Sequence, residues 1–333
     1  MSTPAIPVLF ILPQHVLMLD LAGPAEVLRI ASQLDETEAG LMPPRFTLDY
    51  AGPDAQVRTS IGLPLTNIAP LPESLPHKTM IVLVGVSGST DSTLRGEIDT
   101  SCALIADWLR RVVAGRGHRV LCVCSGALIA ARAGMLDGKR CTTHHSLCAA
   151  LQTMAPHATV LENRLYVLDE EVGTSAGITA GIDMMLQVLA ELASPRAAAA
   201  VARKMVVYMR RAGADPQLSA WTTGRNHLHP GLHRVQDAIA ADPTRDWAAD
   251  DMARIACSST RHLARLFHDY TGGSPLDHVH RLRVALASEL ITQSSLNMES
   301  VAEQAGFSSA RHLRRVWNKY HAGSPSEGRR ATV

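Results

Sequence analysis

The segment Ser258–Pro275, with the sequence SSTRHLARLFHDYTGGSP, recurs fifty residues later as SSARHLRRVWNKYHAGSP over Ser308–Pro325. Both copies contain an Arg-His-Leu triplet, a further arginine, a tyrosine and a closing Gly-Ser-Pro. Upstream of the copies the offset falls to forty-nine, since Ala256 matches Ala305. The second copy therefore has one extra residue in the turn before its longer helix. A repeat of this length indicates a duplicated supersecondary unit.

Each copy has the pattern of a helix-turn-helix. A short helix with small alanine residues is followed by a turn at Cys257-Ser258 or Gly306-Phe307, a capping serine and a second helix. The predicted caps are Ser259 and Ser308. Along the second helix, apolar side chains repeat on the face that would pack inward. These apolar residues are Leu263, Leu266 and Phe267 in the first copy and Leu313, Val316 and Trp317 in the second.

The opposite face of each second helix is rich in arginine and favours contact with DNA. The arginines are Arg261, Arg265, Arg311, Arg314 and Arg315. A guanidinium group can bind guanine O6 and N7 as a fork and can also pair with phosphate. We expect the N-terminal half of each second helix to enter a major groove, with the two helices about 34 Å apart. The alternative is that these arginines form an ordinary solvated charged face. The presence of two copies in register argues against this alternative.

The repeat resembles the C-terminal DNA-binding domain of the AraC/XylS family of transcription regulators, over about residues 232–330. The resemblance implies an all-α domain with two helix-turn-helix motifs that binds double-stranded promoter DNA, with RNA polymerase as a further candidate partner. The base-contacting positions fall on Arg261, Ala264, Arg265, Ala310, Arg311, Arg314 and Arg315. Ser259, Thr260 and Ser309 complete the predicted DNA-binding set. The alanines would make only apolar contacts, for example to a thymine methyl group.

Composition indicates a folded chain of two domains. A length of 333 residues exceeds one ordinary core, and 46% hydrophobic with 19% charged residues excludes extensive disorder. The net charge is +1, but the C-terminal stretch is basic. Between Ser308 and Arg330 there are five arginines and one lysine, and Glu327 is the only acidic residue of this stretch. We expect no signal peptide and no membrane span. The six cysteines lack C-x-x-C spacing, so we expect a reducing cytoplasm and neither a metal site nor a cofactor.

The N-terminal part alternates short β-rich apolar runs with amphipathic helical stretches, as βαβ units around a mainly parallel sheet do. Buried strands are predicted at Ile6–Leu12, Phe46–Tyr50, Met80–Val84 and Arg119–Val123. We therefore predict an α/β three-layer sandwich of flavodoxin-like type over residues 1–195. Glycine and proline then mark a connector over residues 196–230. The helix-turn-helix domain follows over residues 231–330.

The sequence around Cys124 predicts a strand, a tight turn and then a helix, which is the position of a nucleophile elbow. At the exposed top of a sheet, the helix N-terminus can lower the pKa of a thiol. His144 follows another short strand and Asp20 follows the first strand, so both would lie near the thiol and supply acid–base chemistry. The structural alternative is a packed cysteine, a histidine at a strand end, and Asp20 as a helix N-cap.

These residues resemble the ThiJ/PfpI branch of the class I glutamine-amidotransferase-like superfamily, over about residues 5–195. The matching segments are Asp20–Glu26, the Cys124 elbow, Gly134–Gly138, Thr142–His144, Thr174–Gly177 and Ala180–Asp183. The residues Ala202, Arg203, Tyr208, Arg210, Arg211 and Gln217 resemble the join found when this domain precedes an AraC-type domain. That combination is the GlxA-like group, whose characterised members respond to small nitrogenous metabolites; the resemblance also implies a homodimer.

One departure from the superfamily bears on catalysis. Val86 and Ser87 stand where a Gly-Gly pair usually supplies backbone donors beside the cysteine. Because valine restricts the dihedral angles that glycine allows, we do not expect an oxyanion hole of the usual form. We expect ligand binding without turnover. The predicted ligand pocket consists of Asp20, Val86, Ser87, Cys124, Ser125 and His144.

The leading hypothesis is a one-component transcription regulator, in which the first domain binds a small polar metabolite and the second binds promoter DNA. The connector would couple the two domains. A ligand changes DNA binding only if it binds two arrangements of the protein with different affinities. One alternative is a cysteine-dependent hydrolase or hydratase of the isonitrile-hydratase type, with Cys124 as nucleophile and Asp20 and His144 as partners. Another is a redox sensor that works by oxidation of an exposed, low-pKa Cys124.

Overall fold

The chain divides into two compact units, Met1–Gln217 and Leu218–Val333, which are called the first and second units below. The computed structural model describes residues 5–39, 45–88, 91–207, 211–215, 217, 220, 223–225, 227–321 and 323–325. Residues 196–217 of the predicted connector fall within the first unit. Tyr208 and Arg210 of that connector, and the end of the predicted DNA-binding domain at residue 330, lie outside the described residues.

The first unit contains eleven strands among its described residues. They are β1 (Ile6–Ile11), β2 (Phe46–Gly52), β3 (Gln56–Arg58), β4 (Pro64–Thr66), β5 (Ala69–Pro70), β6 (Met80–Leu83), β7 (Arg119–Val123), β8 (Arg140–Cys141), β9 (Thr159–Val160), β10 (Tyr166–Asp169) and β11 (Val172–Ser175). Its α-helices are α1 (Met18–Ala31), α2 (Glu36–Ala39), α3 (Ser92–Trp108), α4 (Gly126–Arg132), α5 (Cys148–Met154), α6 (Thr179–Leu192) and α7 (Pro195–Lys204). A π-helical turn at Leu109–Val113 extends α3, and a 3₁₀ turn at His145–Leu147 precedes α5.

Seven strands form one sheet in the order β10-β11-β7-β6-β1-β2-β5. All neighbouring strands are parallel except β10 and β11. The central strands are apolar on both faces, as the MIVL sequence of β6 illustrates, because helices cover both sides of a parallel sheet. The predicted, mainly parallel α/β fold is confirmed.

Alternate residues of the strands feed two separate cores. Val8, Phe10 and Val82 belong to the core beneath α1, α6 and α7. Ile11 and Ile81 belong to the core beneath α3, α4 and α5, on the opposite face of the sheet. This alternation produces the three layers of helix, sheet and helix.

Strand β1 lies at the topological switch point of the sheet. The chain leaves β1 for β2 on one side and later enters β6 on the other side of β1. Connections that diverge in this way open a crevice beyond the carboxyl ends of the two strands, and such crevices are where open α/β sheets bind ligands. The residues after Ile11 and after Leu83 border this crevice.

In the second unit, all the regular secondary structure among the described residues is helical. Its helices are α8 (Pro230–Ala241), α9 (Ala249–Ile255), α10 (Thr260–Thr271), α11 (Pro275–Gln293), α12 (Met298–Gln304) and α13 (Ala310–Trp317). One core packs α8, α9 and α10 against the first half of α11, where Val279 and Leu282 are buried. A second core packs α12 and α13 against the other half, where Val284 and Ile291 are buried. Helix α11 therefore supports both copies of the repeat.

The joint between α10 and α11 follows from its sequence. Gly272 ends α10 with φ 69°, a left-handed conformation that glycine adopts without steric cost. Ser274 and Asp277 then form a reciprocal capping box at the start of α11, and Pro275 occupies its first position. Among the described helices, none is long and apolar enough to cross a membrane.

Candidate functional site

Helix α10 presents the basic face of the first copy. The Ser259 hydroxyl accepts the backbone N–H of His262 at 3.3 Å, so Ser259 caps the helix as predicted. Leu263 and Phe267 are buried in the core, and their orientation directs Arg261 and Arg265 into solvent. Thr260 and Ala264 are also exposed, so the whole predicted contact set of this copy is accessible.

The cap of the second copy is Ser309, and the prediction of Ser308 is wrong. Ser309 Oγ accepts the backbone N–H of His312 at 3.2 Å, whereas Ser308 Oγ lies 3.1 Å from His312 Nδ1. Both turns contain a left-handed residue, Cys257 with φ 55° and Gly306 with φ 80°. One residue, Ser258, separates this position from the cap in the first copy, and two residues, Phe307 and Ser308, separate it in the second. Since Ser308 matches Ser258 in the repeat, Phe307 is the extra residue.

Ala310 is buried, unlike the other residues predicted to contact bases in the second copy, and its burial does not favour a base contact. It is only 4% exposed and belongs to the core beneath α13. Its backbone N–H donates to Glu299 Oε2 at 3.0 Å, which fixes the start of α13 against α12. A methyl group held in this way faces the core of the repeat rather than solvent.

The arginines of α10 and α13 form an unneutralised positive surface. Arg261, Arg265, Arg311, Arg314 and Arg315 are all exposed. In the part of the chain that the structure describes, no carboxylate pairs with any of them, and the one side-chain contact is from Arg265 to His262 Nδ1 at 2.9 Å. Guanidinium groups without acidic partners attract phosphate and remain free to bind base edges.

Aromatic contacts fix α13 on α11. The His312 ring meets Phe307 edge-on with centroids 5.3 Å apart and meets His280 of α11 at 5.8 Å. Burial, followed by the charge of Arg315, lowers the pKa of His312, which favours the neutral ring. The Tyr320 hydroxyl donates to the carbonyl of Asp277 at 3.1 Å. The orientation of the second arginine face is therefore held by α11 rather than by a loose turn.

Cys124 lies at the turn between β7 and α4 but does not present a reactive thiol. Its φ of 55° places it in the left-handed region, and its N–H donates to the Ser175 carbonyl at 3.0 Å. The residue is only 6% exposed. Burial, then the negative charge of Asp20, raises the pKa of the thiol to about 12. The prediction of an exposed thiol with a lowered pKa is wrong, because burial outweighs the helix N-terminus.

Asp20 lies in the first turn of α1 and is fully buried. The N-cap of α1 is Leu17, so Asp20 is not the cap. Its Oδ1 accepts the backbone N–H of Ile178 at 2.6 Å. Burial raises the pKa of Asp20 to about 6 against the opposing effect of that hydrogen bond. A Cβ at Gly85 would lie 2.5 Å from Asp20 Oδ2 and 2.9 Å from Cys124 Cβ, so glycine there lets the carboxyl and the thiol approach each other.

The backbone donors expected of an oxyanion hole are already in use. The N–H of Val86 donates to Ser125 Oγ at 2.7 Å, and Ser125 Oγ donates to the Val86 carbonyl at 3.1 Å. The N–H of Ser87 donates to the His15 carbonyl at 2.9 Å. Neither N–H is directed at an open position beside Cys124, as stabilisation of an oxyanion requires.

His144 is engaged with its neighbours in sequence. It caps the 3₁₀ turn, its Nδ1 lies 2.8 Å from Ser146 Oγ, and its ring packs on that of His145. Burial, then the charge of His145, lowers the pKa of His144. The residue of this segment that contacts Cys124 is Thr143, whose hydroxyl donates to the Cys124 carbonyl at 2.8 Å. Of the predicted pocket, the structure thus joins Asp20 with Cys124 and Val86 with Ser125, and places His144 in a separate contact.

Two residues of the predicted connector, Arg211 and Gln217, make contacts that the sequence analysis did not predict. Arg211 donates to Asp183 Oδ2 through two nitrogens, at 2.9 and 2.5 Å, and the carboxyl of Asp183 is buried. The Gln217 amide donates to the carbonyls of Thr143 and Arg164 at 2.7 and 2.8 Å. These residues fasten the chain after α7 onto the first unit. The only sequence signal for them was the resemblance of the connector to its family.

A polar cleft outside the predicted pocket borders the crevice beside β1. It has a volume of about 670 Å³ and is lined by Gln14, His15, Asp54, Arg58, Glu97 and Ser101, among other residues. A second cavity of about 470 Å³ lies over β1, β2 and β5. None of the six residues of the predicted ligand pocket lines either cavity. Among the described residues, no group of three or more His, Cys, Asp and Glu side chains is placed to hold a metal ion.

Comparison with known proteins agrees with this architecture. The helix-turn-helix domain model matches residues 252–331, and the DJ-1/PfpI family model matches residues 7–191. The HTH-type transcriptional regulator GbdR of Pseudomonas aeruginosa is 29% identical over 298 residues, which span 90% of this chain and 77% of GbdR. The HTH-type transcriptional regulator GlxA of Rhizobium meliloti is 34% identical over 198 residues, which span 58% of this chain and 59% of GlxA.

Among solved structures, an AraC family transcriptional regulator from Pseudomonas putida aligns with a TM-score of 0.48 and 20% identity, over 60% of this chain and 99% of that one. A second, a THiJ/PfpI family protein from Pseudomonas syringae, aligns with a TM-score of 0.47 and 24% identity, over 76% of this chain and 91% of that one. By its family match over more than half its length, the chain belongs to the DJ-1/PfpI family, and the helix-turn-helix domain that follows makes it a GlxA-like transcriptional regulator of the AraC type.

Proposed function

We propose that this DNA-binding regulator reads promoter DNA with α10 and α13 and adjusts its affinity when the first unit binds a small polar metabolite. The observation that carries the proposal is the exposed arginine face of the two helix-turn-helix copies, which no carboxylate neutralises within the described residues. Such a face supplies both the phosphate attraction and the base contacts that sequence-specific binding needs. The chain acts as a regulator and not as an enzyme.

The DNA contact is divided between two kinds of residue. The capping serines and the helix N-termini suit phosphate oxygens, which fix the position of each helix on the duplex. Arg261, Arg265, Arg311, Arg314 and Arg315 point away from the cores and supply the base contacts. The packing of α11 against both copies supports a placement of the two helices on one face of the duplex, about one helical turn apart.

The ligand-sensing part of the proposal rests on the first unit. It has a ligand-sized polar cleft at the switch point of its sheet, while its buried Cys124 and occupied backbone donors favour binding without turnover. A ligand changes DNA affinity only if it binds two arrangements of the chain unequally. We include a homodimer, because pairing two DNA-binding units raises avidity without new contacts. A regulator of promoter DNA works in the cytoplasm, and RNA polymerase is its partner if it activates transcription.

Selection of binding sites from random DNA by the full chain tests the proposal. We expect enriched sequences with two short conserved blocks whose centres lie about 10–11 base pairs apart, repeated once if the protein binds as a dimer. Replacing both Arg261 and Arg311 with alanine should abolish the enrichment. Enrichment of no sequence, or of sequences unaffected by that double substitution, would exclude α10 and α13 as the DNA-reading helices.

A further inference from the structure

A buried arginine outside the two reading helices links the two copies of the repeat. Arg283 lies in α11 between Leu282, which belongs to the core of the first copy, and Val284, which belongs to the core of the second. Arg283 is only 9% exposed. Because burial removes the water that hydrates a guanidinium group, arginine is enclosed to this degree only where other acceptors replace that water.

The acceptors of Arg283 come from the loop between α8 and α9. Arg283 Nε donates to the carbonyl of Pro243 at 2.7 Å. Arg283 Nη2 donates to the carbonyls of Thr244 and Arg245, at 3.3 and 2.8 Å. The planar guanidinium group thus binds the carbonyls of three consecutive residues, an arrangement that the single ammonium group of a lysine cannot reproduce.

The loop that supplies these carbonyls is fixed to the first copy. Asp242 Oδ1 accepts the N–H groups of Thr244 and Arg245, at 3.2 and 3.1 Å. The ring of Trp247 is buried in the core of the first copy, and its Nε1 donates to the carbonyl of Asp242 at 2.9 Å. The three carbonyls therefore keep their place relative to α9 and α10.

The turn of the second copy packs against the same loop and against Arg283. A Cβ at Gly306 would lie 2.7 Å from Thr244 Cα and 3.0 Å from Arg283 Nε, so only glycine fits there. The matching residue of the first copy is Cys257, which also has a left-handed φ but carries an exposed side chain. The close contact, and not the turn conformation alone, therefore requires glycine in the second copy.

The contacts of Arg283 restrict a motion that the two apolar cores leave less restricted. Each copy packs on α11 through apolar side chains, and apolar contacts are not directional. They hold each copy against α11 but resist a small rotation of one copy around α11 weakly. Hydrogen bonds are directional, so three of them on one guanidinium group resist such a rotation.

From these contacts we infer that Arg283 is a positioning residue for DNA recognition. By joining the loop of the first copy to the turn of the second, Arg283 sets the separation of the two DNA blocks that α10 and α13 can bind together. The inference rests on the proposed function. Arg283 acts through protein contacts, because its guanidinium group is enclosed between the copies.

The first test compares DNA duplexes that differ only in the separation of the two selected blocks. One added or removed base pair moves a block by about 3.4 Å and turns it by about 35°. We expect the full wild-type chain to bind such duplexes at least about tenfold more weakly than the selected one, as fluorescence anisotropy can measure. Arg283→Met, which has no donor, should reduce this difference to less than about threefold. Its affinity for a duplex with a single block should match that of the wild type.

Arg234 provides the matched control. Arg234 donates to the carbonyls of Ile255 and Ala256, both at 3.2 Å, so its contacts stay within the first copy. Arg234→Met removes the same kind of hydrogen bond without separating the copies, and it should discriminate between separations as the wild type does. Unchanged discrimination in Arg283→Met, or an equal loss in Arg234→Met, overturns the inference.

Two further variants keep the test decisive if Arg283→Met does not fold. Arg283→Lys keeps the charge and one donor group, and its discrimination should lie between those of the wild type and Arg283→Met. Gly306→Ala disturbs the same contact from the second copy and should also lose discrimination, whereas Cys257→Ala at the matching position should not. Tm values show which variants are folded. Wild-type discrimination in folded Arg283→Lys and Gly306→Ala overturns the inference.

A measurement without DNA separates this inference from the proposed function. Nitroxide labels are attached to Ala264→Cys and Arg314→Cys in a chain whose two accessible cysteines are replaced by serine. Pulsed electron paramagnetic resonance should show a distance distribution at least about twofold broader in Arg283→Met, and an unchanged one in Arg234→Met. An unchanged distribution in Arg283→Met overturns the inference. A broadened distribution in a chain that binds no DNA counts against the proposed function alone.

Discussion

Ser125 Oγ accepts the backbone N–H of Val86 at 2.7 Å and returns a hydrogen bond to the Val86 carbonyl at 3.1 Å. This pair closes the loop after β6 onto the turn that carries Cys124. In a hydrolase of this fold, the same N–H would have to remain free for the oxyanion that forms during the reaction. The geometry therefore agrees with a domain that has kept the elbow of its family and lost the arrangement that catalysis needs.

Alkylation should distinguish the buried Cys124 from the exposed Cys257. With a pKa of about 12, Cys124 has a thiolate fraction about a thousandfold below that of a thiol at its ordinary value of 9.0. We expect iodoacetamide at pH 7.5 to label Cys257 rapidly in the folded chain and Cys124 hardly at all, as mass spectrometry of peptides can measure. In urea both should react alike. Rapid labelling of Cys124 in the folded chain would restore the redox-sensor hypothesis.

The raised pKa of Asp20 predicts a pH dependence of stability. The carboxyl has a pKa of about 6 when folded and 3.8 as the ordinary value, so the folded chain binds more protons than the unfolded chain between these limits. The contribution of Asp20 to the free energy of unfolding is therefore full below pH 4 and is lost as the pH rises through 6.

Asp20→Asn removes this titration and keeps an oxygen for the Ile178 N–H. Relative to the wild type, its free energy of unfolding should rise by at most about 3 kcal/mol between pH 4 and pH 7. Urea denaturation of both proteins across that range measures the difference. Parallel pH profiles for the two proteins would mean that Asp20 is ionised in the folded chain at pH 4.

The two neighbouring serines of the second turn should differ in their effect on stability. Ser309→Ala removes the hydroxyl that caps α13 and should cost about 1 kcal/mol. Ser308→Ala removes an exposed hydroxyl that contacts only a side chain, and should change stability by less than about 0.5 kcal/mol. Thermal unfolding of the two variants measures the difference in stability. A larger loss of stability for Ser308→Ala than for Ser309→Ala would show that Ser308 is the N-cap of α13.

Arg311 should contribute base specificity to DNA binding. Arg311→Ala is expected to cost about 1–3 kcal/mol of binding free energy and to relax the preference at one base pair, if the guanidinium group binds a guanine as a fork. Fluorescence anisotropy with the selected site and its single-base variants measures both effects. Arg254→Ala, which removes an exposed arginine of α9, serves as the matched control. An unchanged specificity profile for Arg311→Ala removes Arg311 from the base contacts.

Periodicity predicted the parts of the fold that bury apolar surface. The strands β1, β6 and β7 were predicted because each has a run of apolar residues that is largely buried. Strand β2 was predicted as well, although Thr47, Asp49 and Tyr50 are exposed. The pairs β3–β4 and β8–β9 were not predicted, since they are only two or three residues long and carry no alternation that a sequence pattern can reveal.

The site was harder to predict, because its properties depend on segments distant in the sequence. Cys124 is enclosed by Gly85 and Gly177, and a Cβ at Gly177 would lie 2.3 Å from Cys124 Cβ. Nothing near residue 124 indicates this enclosure. Similarly, Ala310 is buried in the core that α11, α12 and α13 form, and its N–H donates to Glu299 of α12. The repeat pattern alone places Ala310 beside the exposed arginines.

The shared helix α11 also constrains how operators recognised by this protein can vary. Each residue inserted into a helix rotates everything beyond it by about 100° and advances it by about 1.5 Å. A single insertion near Val284 would therefore swing the second copy out of phase with the first, and no groove on the same side of the duplex would receive it. If α10 and α13 read promoter DNA together as proposed, the promoters that this chain recognises must keep a fixed phase between their two recognition blocks. Changes in spacing between promoters would then fall outside each pair of blocks rather than within it.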